Sequence, residues 1–210
     1  MKSIGNLLIL GDSYSTFEGY NPEGNGVWYK SGGHEKTDVA EVEDTWWRKL
    51  LKEVDGTLVL NESYSGATVC NTERPQIPHT SFVYRLDKLI ERDFFKQNTI
   101  DTVIFFGGTN DNWTNAPIGT TQFSDFTEGD LKQVLPAFGY AIKTLRQAAP
   151  NAKIFLVVNT NLKAELVEGI KCIGEHFGAS VIALSNVHKQ AGHPNKEGMT
   201  DIKNQILEAL

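Results

Sequence analysis

Cysteine is nearly absent from this chain, with two in 210 residues. Cys70 and Cys172 are far apart and lack metal-ligand spacing, so the sequence offers neither a disulfide framework nor a metal site, and the fold must rest on packing. Long hydrophobic runs are missing too. The longest apolar stretches, Leu7 to Leu10 and Ile154 to Val158, fall far short of the roughly 20 residues that span a bilayer. Met1-Lys2-Ser3 leads almost directly into the first of them, without the extended apolar region and cleavage site of a secretory signal. Read literally, this predicts a cytoplasmic chain without a membrane partner, although a secreted mature form given a new Met has the same appearance. A basic stripe is also lacking. Twenty basic against 26 acidic residues give a net charge of −6, and the basic residues are scattered, which argues against a nucleic-acid partner.

What is present is a regular alternation. Five apolar runs have the length and composition of strands: Asn6 to Leu10, Thr57 to Leu60, Thr102 to Phe106, Lys153 to Val158 and Ser180 to Leu184. Amphipathic segments lie between and after them, at Thr45 to Val54, Phe82 to Phe95, Gly129 to Ala149, Leu162 to Phe177 and Lys196 to Leu210, with apolar residues recurring at threes and fours. Near-continuous apolar strands separated by helices predict an α/β fold with a parallel sheet covered on both faces. With 40% hydrophobic residues, the chain is sized for one domain over residues 1–210. Right-handed crossovers bring every strand's C-terminal end to one edge, where ligands bind in such sheets. Three long irregular stretches, Tyr14 to Glu43, Gly66 to Thr80 and Trp113 to Glu128, follow strands that end at that edge. The first carries Phe17, Tyr20, Trp28 and Tyr29, which suit either a substrate rim or local packing.

Three fragments at this edge hold side chains with chemistry. Ser13 follows Leu7-Leu8-Ile9-Leu10-Gly11-Asp12, where a hydroxyl sits close to free backbone N–H groups. Asn110 follows Gly107-Gly108 after the third strand; its amide can donate to an oxyanion or form an Asx turn. Asp111 reads as a strap for neighbouring loops. His193 precedes Pro194 and a capping Asn195. Of the five histidines, His34 and His79 lie in loops, His176 ends a helix, and His188 is the competitor; a proline and a helix start fix His193 best as a general base. A rival reading of Ser13-Tyr14-Ser15-Thr16 is a phosphate cradle, which needs no histidine.

Together these residues resemble the SGNH hydrolases of the GDSL esterase/lipase superfamily. The blocks are Gly11-Asp12-Ser13, then Gly66 within Asn61 to Ala67, then Gly108-Thr109-Asn110-Asp111, then His193-Pro194 with Gly198 downstream, in family order across almost the whole chain. The resemblance implies a flavodoxin-like three-layer α/β/α sandwich of about five parallel strands. It also implies Ser13 as nucleophile, His193 as base, and an oxyanion hole from the N–H groups of Ser13 and Gly66 and the Asn110 amide. No metal or other cofactor is implied. One position departs from the pattern: three residues before the histidine, where the family has an aspartate, stands Gln190. Its oxygen can orient the ring without charge, a main-chain carbonyl can do the same, or the acid comes from elsewhere. The expected activity is hydrolysis of a carboxylic ester, with a small acyl group on a sugar or other polar alcohol preferred over lipase or thioesterase substrates. A non-catalytic glycan-binding module on the same scaffold is the alternative.

Overall fold

The computed structural model describes residues 2–72 and 79–210; residues 73–78, part of the stretch Gly66 to Thr80, lie outside the described residues. Five parallel strands form the central sheet: β1 (Ser3–Gly11), β2 (Asp55–Ser63), β3 (Thr102–Phe106), β4 (Lys153–Val158) and β5 (Ser180–Ala183), in the order β2-β1-β3-β4-β5. The expected α/β sheet is therefore present. β3 and β4 have the bounds read from the sequence, whereas β1 and β2 run further at both ends, because backbone pairing extends past the apolar cores of those strands.

Successive side chains of a strand face opposite ways, and here both ways lead to core. Leu8, Leu10, Val103, Phe105, Ile154 and Leu156 pack on one face beneath α2 (Phe82–Glu91), α5 (Val134–Ala148) and α6 (Ala164–Phe177). Leu7, Ile9, Ile104, Phe106, Phe155 and Val157 pack on the other, beneath α1 (Trp46–Leu51) and α7 (Lys196–Ala209). That two-sided burial is why the central strands read as continuous apolar runs.

The helix limits follow local chemistry. Thr45 caps α1 through Arg48 N, and Asn195 caps α7 through Gly198 N at 2.9 Å. The predicted helix Phe82 to Phe95 is broken by Asp93, whose left-handed φ of 56° separates α2 from α3 (Phe94–Gln97). Three elements lie beyond the expectation: the short α4 (Thr109–Trp113), and a hairpin of β6 (Lys189–Gln190) and β7 (His193–Pro194). Both cysteines are free thiols, Cys70 buried and Cys172 exposed. Among the described residues no helix is long and apolar enough to cross a membrane.

Phe105 joins the layers, its ring lying 4.9 Å from that of Phe82 and 5.4 Å from that of Phe138. Phe105→Ala is expected to lower the unfolding free energy by about 3–5 kcal/mol, read from urea melts with an unchanged slope; a loss below about 1 kcal/mol contradicts this packing.

Candidate active site

Ser13 stands at the end of β1, between its parallel neighbours β2 and β3. Gly11 is required there for closeness: a Cβ would lie 2.5 Å from Ser63 Oγ and 2.7 Å from Ser15 Oγ. Asp12 then turns the chain, its Oδ1 accepting from Tyr14 N at 3.0 Å, and Ser13–Ser15 form a single 3-10 turn. Arg85, fully buried in α2, fastens this turn to its surroundings. Its guanidinium donates to the main-chain carbonyls of Gly11, Glu62 and Thr80.

His193 reaches Ser13 from the far end of the sequence, with Nε2 lying 3.0 Å from Ser13 Oγ. The β6–β7 hairpin makes this possible. Gln190 pairs with His193 across a two-residue turn, and the turn residues Ala191 and Gly192 both have positive φ, 50° and 80°. Such a turn matches the twist of the strands it joins but strains a residue bearing a Cβ, so Ala191 is held there by its surroundings. The result is that the Ala191 carbonyl comes back to His193 Nδ1 at 3.2 Å. A carbonyl only accepts, so Nδ1 carries the proton and Nε2 presents its lone pair to the serine hydroxyl. Of the groups the sequence left open for this place, Gln190 is exposed, and the group at Nδ1 is the main-chain carbonyl of Ala191 and not the Gln190 side chain.

Aromatic residues fix the imidazole further. Trp28 stacks on it with centroids 3.7 Å apart and planes at 9°. Its indole is carried by a loop tied down through Trp28 N to Thr16 Oγ1 and through His34 Nε2 to Trp28 O. Tyr14 donates from its hydroxyl to Gly192 O at 2.6 Å, and Tyr29 to Pro194 O at 2.8 Å, so the carbonyls on both sides of His193 are bound. Phe17 and Tyr29 are buried, and Tyr20 packs on Trp47, so of the two roles open to the loop aromatics these three serve local packing. The exposed aromatic wall beside His193 is Trp113 at the end of α4, 50% accessible and 6.1 Å from the imidazole centroid.

On the other side of Ser13 the Gly66 turn and α4 are joined. Gly66 has φ 83°, and the Asn110 amide donates to Ala67 O at 3.0 Å, which uses one of its two N–H groups. Asp111 accepts from Val69 N at 2.8 Å and from Cys70 N at 3.1 Å, the strapping role read from the sequence. Beyond α4 the end of β4 adds Asn159, whose amide donates to Tyr14 Oη and Thr109 Oγ1 and whose Oδ1 accepts from Lys189 Nζ at 3.0 Å. His188, the competing histidine, is exposed and bound at 2.7 Å to Asp201 of α7, whereas among the described residues no acid is bound to His193. His176 stacks on Phe123.

The electrostatics diverge between the two buried titratable neighbours of the serine. Burial lowers the His193 pKa from 6.5 to about 4, opposed by the Ala191 carbonyl and assisted by Lys189 and His34. Asp12 is shifted the other way, from 3.8 to about 7, because burial outweighs the Tyr14 N–H bond. At neutral pH the imidazole is therefore uncharged and able to accept the proton of the hydroxyl it touches. Among the described residues no cluster of three or more His, Cys, Asp or Glu is arranged to hold a metal ion.

Sequence reasoning missed Ala191, Tyr14, Trp113, Asn159 and Lys189. The Ala191-Gly192 pair was the available signal for a turn, but alanine does not advertise positive φ.

A family model for GDSL-like lipase/acylhydrolase matches residues 5–210. Among solved structures, the chain is 38% identical to a protein from Bacteroides uniformis assigned to the GDSL-like lipases, with TM-score 0.88 over 98% of this chain and 95% of that one. A second, from Bacteroides ovatus and with the same assignment, gives 38% identity and TM-score 0.88 over 99% and 98%. An acetyl xylan esterase from Butyrivibrio proteoclasticus shares the fold at 18% identity, with TM-score 0.61 over 100% of this chain and 64% of that one. No curated protein sequence matches the chain.

The buried imidazole is open to a direct test. Between pH 6.5 and 4 the unfolded chain takes up a proton that folded His193 refuses, so this group's contribution to stability is full above 6.5 and lost as pH falls toward 4. The imidazole NMR signal of His193 is expected to titrate near 4; a midpoint at or above 6.5 contradicts the site as described.

Proposed function

The chain belongs to the GDSL-like lipase/acylhydrolase family, and on that premise we propose a serine esterase in which Ser13 is the nucleophile and His193 the base. The observation that carries this reading is the 3.0 Å contact of Ser13 Oγ with His193 Nε2, the ring's other nitrogen being engaged by a carbonyl. Ser13 Oγ attacks the ester carbonyl carbon while its proton passes to Nε2. The oxyanion is received by the backbone N–H groups of Ser13 and Gly66 and by the Asn110 amide N–H that Ala67 leaves over. One such donor accounts for roughly 10²- to 10³-fold in rate. As the carbon–oxygen bond breaks, His193 returns the proton to the leaving alcohol. Water, deprotonated by the same imidazole, then attacks the acyl-serine and releases the acid.

Among the described residues no carboxylate binds the imidazole on which the imidazolium forms. Two features of this site take that place. The Ala191 carbonyl accepts from Nδ1–H, and the Trp28 face lies in contact with the ring, where a cation is attracted by about 0.5–2 kcal/mol. For substrate, the reading is a small acyl group on a sugar or similar polar alcohol. Its support is Trp113, an exposed flat surface beside the base that suits the C–H face of a sugar, and the shared fold with an acetyl xylan esterase.

With p-nitrophenyl acetate as substrate, Ser13→Ala and His193→Ala are each expected to lower kcat by about 10³-fold or more with unchanged circular dichroism; turnover retained in Ser13→Ala refutes the mechanism. Gln190→Ala, by contrast, is expected to leave kcat within about twofold, because an exposed side chain off the proton path touches neither nitrogen of the base. A tenfold drop in folded Gln190→Ala assigns the orienting role to that side chain after all.

A further inference from the structure

Among the described residues Lys189 is an ammonium without a counterion. It is half-buried, its Nζ donates to Asn159 Oδ1 at 3.0 Å and Thr160 Oγ1 at 2.8 Å, and it lies 5.5 Å from the centre of the Tyr14 ring. Among the described residues no carboxylate lies within ion-pair distance. Asp12 acts on it only through space, and burial keeps that acid substantially protonated near pH 7. Elsewhere the chain pairs its cations freely: Arg48 and Lys52 with Glu43, Lys196 with Asp44, Lys203 with Glu53. Leaving one unpaired where water is partly excluded has a desolvation cost that an asparagine or threonine partner offsets only in part.

Its position gives that charge a use. The leaving oxygen must reach His193 Nε2 to be protonated, so the alcohol half of an ester lies on the His193 side of Ser13. Trp113 forms one wall there, 6.1 Å from the imidazole, with Gly192 beside the Trp113 ring. Lys189, in the same hairpin as His193, is close enough to depress its proton affinity. Lys163 is tied to the residues on either side of Trp113 in sequence, its main-chain N donating to Asn112 Oδ1 and its Nζ to Asn115 Oδ1, again a neutral partner for the ammonium. A flat aromatic surface bordered by unneutralised ammonium groups, on a protein of net charge −6, is complementary to an anionic ring.

We propose that Lys189 is a specificity determinant that reads a carboxylate on the alcohol half of the substrate, so that acyl esters of sugar acids are preferred over those of the matching neutral sugars. This rests on the Ser13–His193 reading above. With two of its three N–H groups engaged, Lys189 keeps one for the carboxylate. The alternative is that Lys189 only staples the hairpin to the end of β4, in which case its loss weakens turnover of every substrate alike.

The test compares kcat/KM on a mono-O-acetyl methyl glucuronoside and on the same ester of methyl glucoside, which differ only in a carboxylate. Wild type is expected to favour the uronate by about tenfold at low ionic strength, as one charge-assisted hydrogen bond supplies. Lys189→Met is expected to bring the ratio to about one, and Lys189→Arg to keep most of it. A wild-type ratio of one or less, a ratio unchanged in folded Lys189→Met, or failure to hydrolyse either sugar while Ser13-dependent turnover of p-nitrophenyl acetate persists overturns the inference and leaves the esterase reading standing. Absence of any Ser13-dependent ester hydrolysis overturns both. The wild-type ratio alone decides if Lys189→Met does not fold.

Discussion

Two phenolic hydroxyls hold the backbone on either side of His193, and the site depends on them. Tyr14 binds Gly192 O and Tyr29 binds Pro194 O, both from beneath the loop that carries the base. In a serine–histidine–acid site the carboxylate does two things: it orients the ring and it stabilises the positive charge formed on attack. Here the tasks are divided. Orientation comes from a short hairpin whose strained Ala191 returns its own carbonyl to Nδ1, and from the parallel stack of Trp28. In the proposed reaction charge stabilisation falls to the same carbonyl dipole and to the indole face. The tyrosines make this geometry persist. Without them a two-residue turn at the surface would have little to keep Ala191 in the left-handed region.

The same burial that rigidifies the pair separates the protonation states around it. His193 is pressed toward its neutral form and Asp12 toward its protonated form, both chiefly by loss of water. Their effects on stability oppose each other. His193 favours the folded state as pH rises from 4 to 6.5, while the contribution of Asp12, complete below 3.8, is lost as pH rises through about 7. Near neutrality Lys189, bound to Asn159 and Thr160, carries a charge in this region, while Arg85 is committed to main-chain carbonyls below the serine.

Much of the scaffold was legible because its causes are local. The runs Thr102 to Phe106 and Lys153 to Val158 are apolar at every position after the first since both faces of their strands are covered, and they become β3 and β4 with the same bounds. The cap Asn195 acts where its side-chain chemistry suggested. Ser13 and His193, 180 positions apart, were both read to the same sheet edge, and they touch. What escaped the sequence depends on conformation at single residues or on long-range contact. Nothing in the letter Ala announces φ 50° at position 191, so the sequence left Gln190 and a main-chain carbonyl both open where the Ala191 carbonyl has that place. Phe17 and Tyr29 suited a rim or local packing equally as loop residues and are core residues, while Trp113 at the end of α4 stays exposed. Asp93 breaks a periodic helix by a backbone angle that periodicity does not register.

The central claim is that an uncharged His193, held without an acid, activates Ser13. Stoichiometric labelling by an active-site organophosphonate measures this step without turnover or product release. The account predicts that mass spectrometry finds the phosphonyl group on Ser13, and that the second-order rate constant loses its acid half near pH 4, where the buried imidazole takes up its proton. Labelling at another residue, or an acid limb centred at the ordinary histidine value of 6.5, contradicts it.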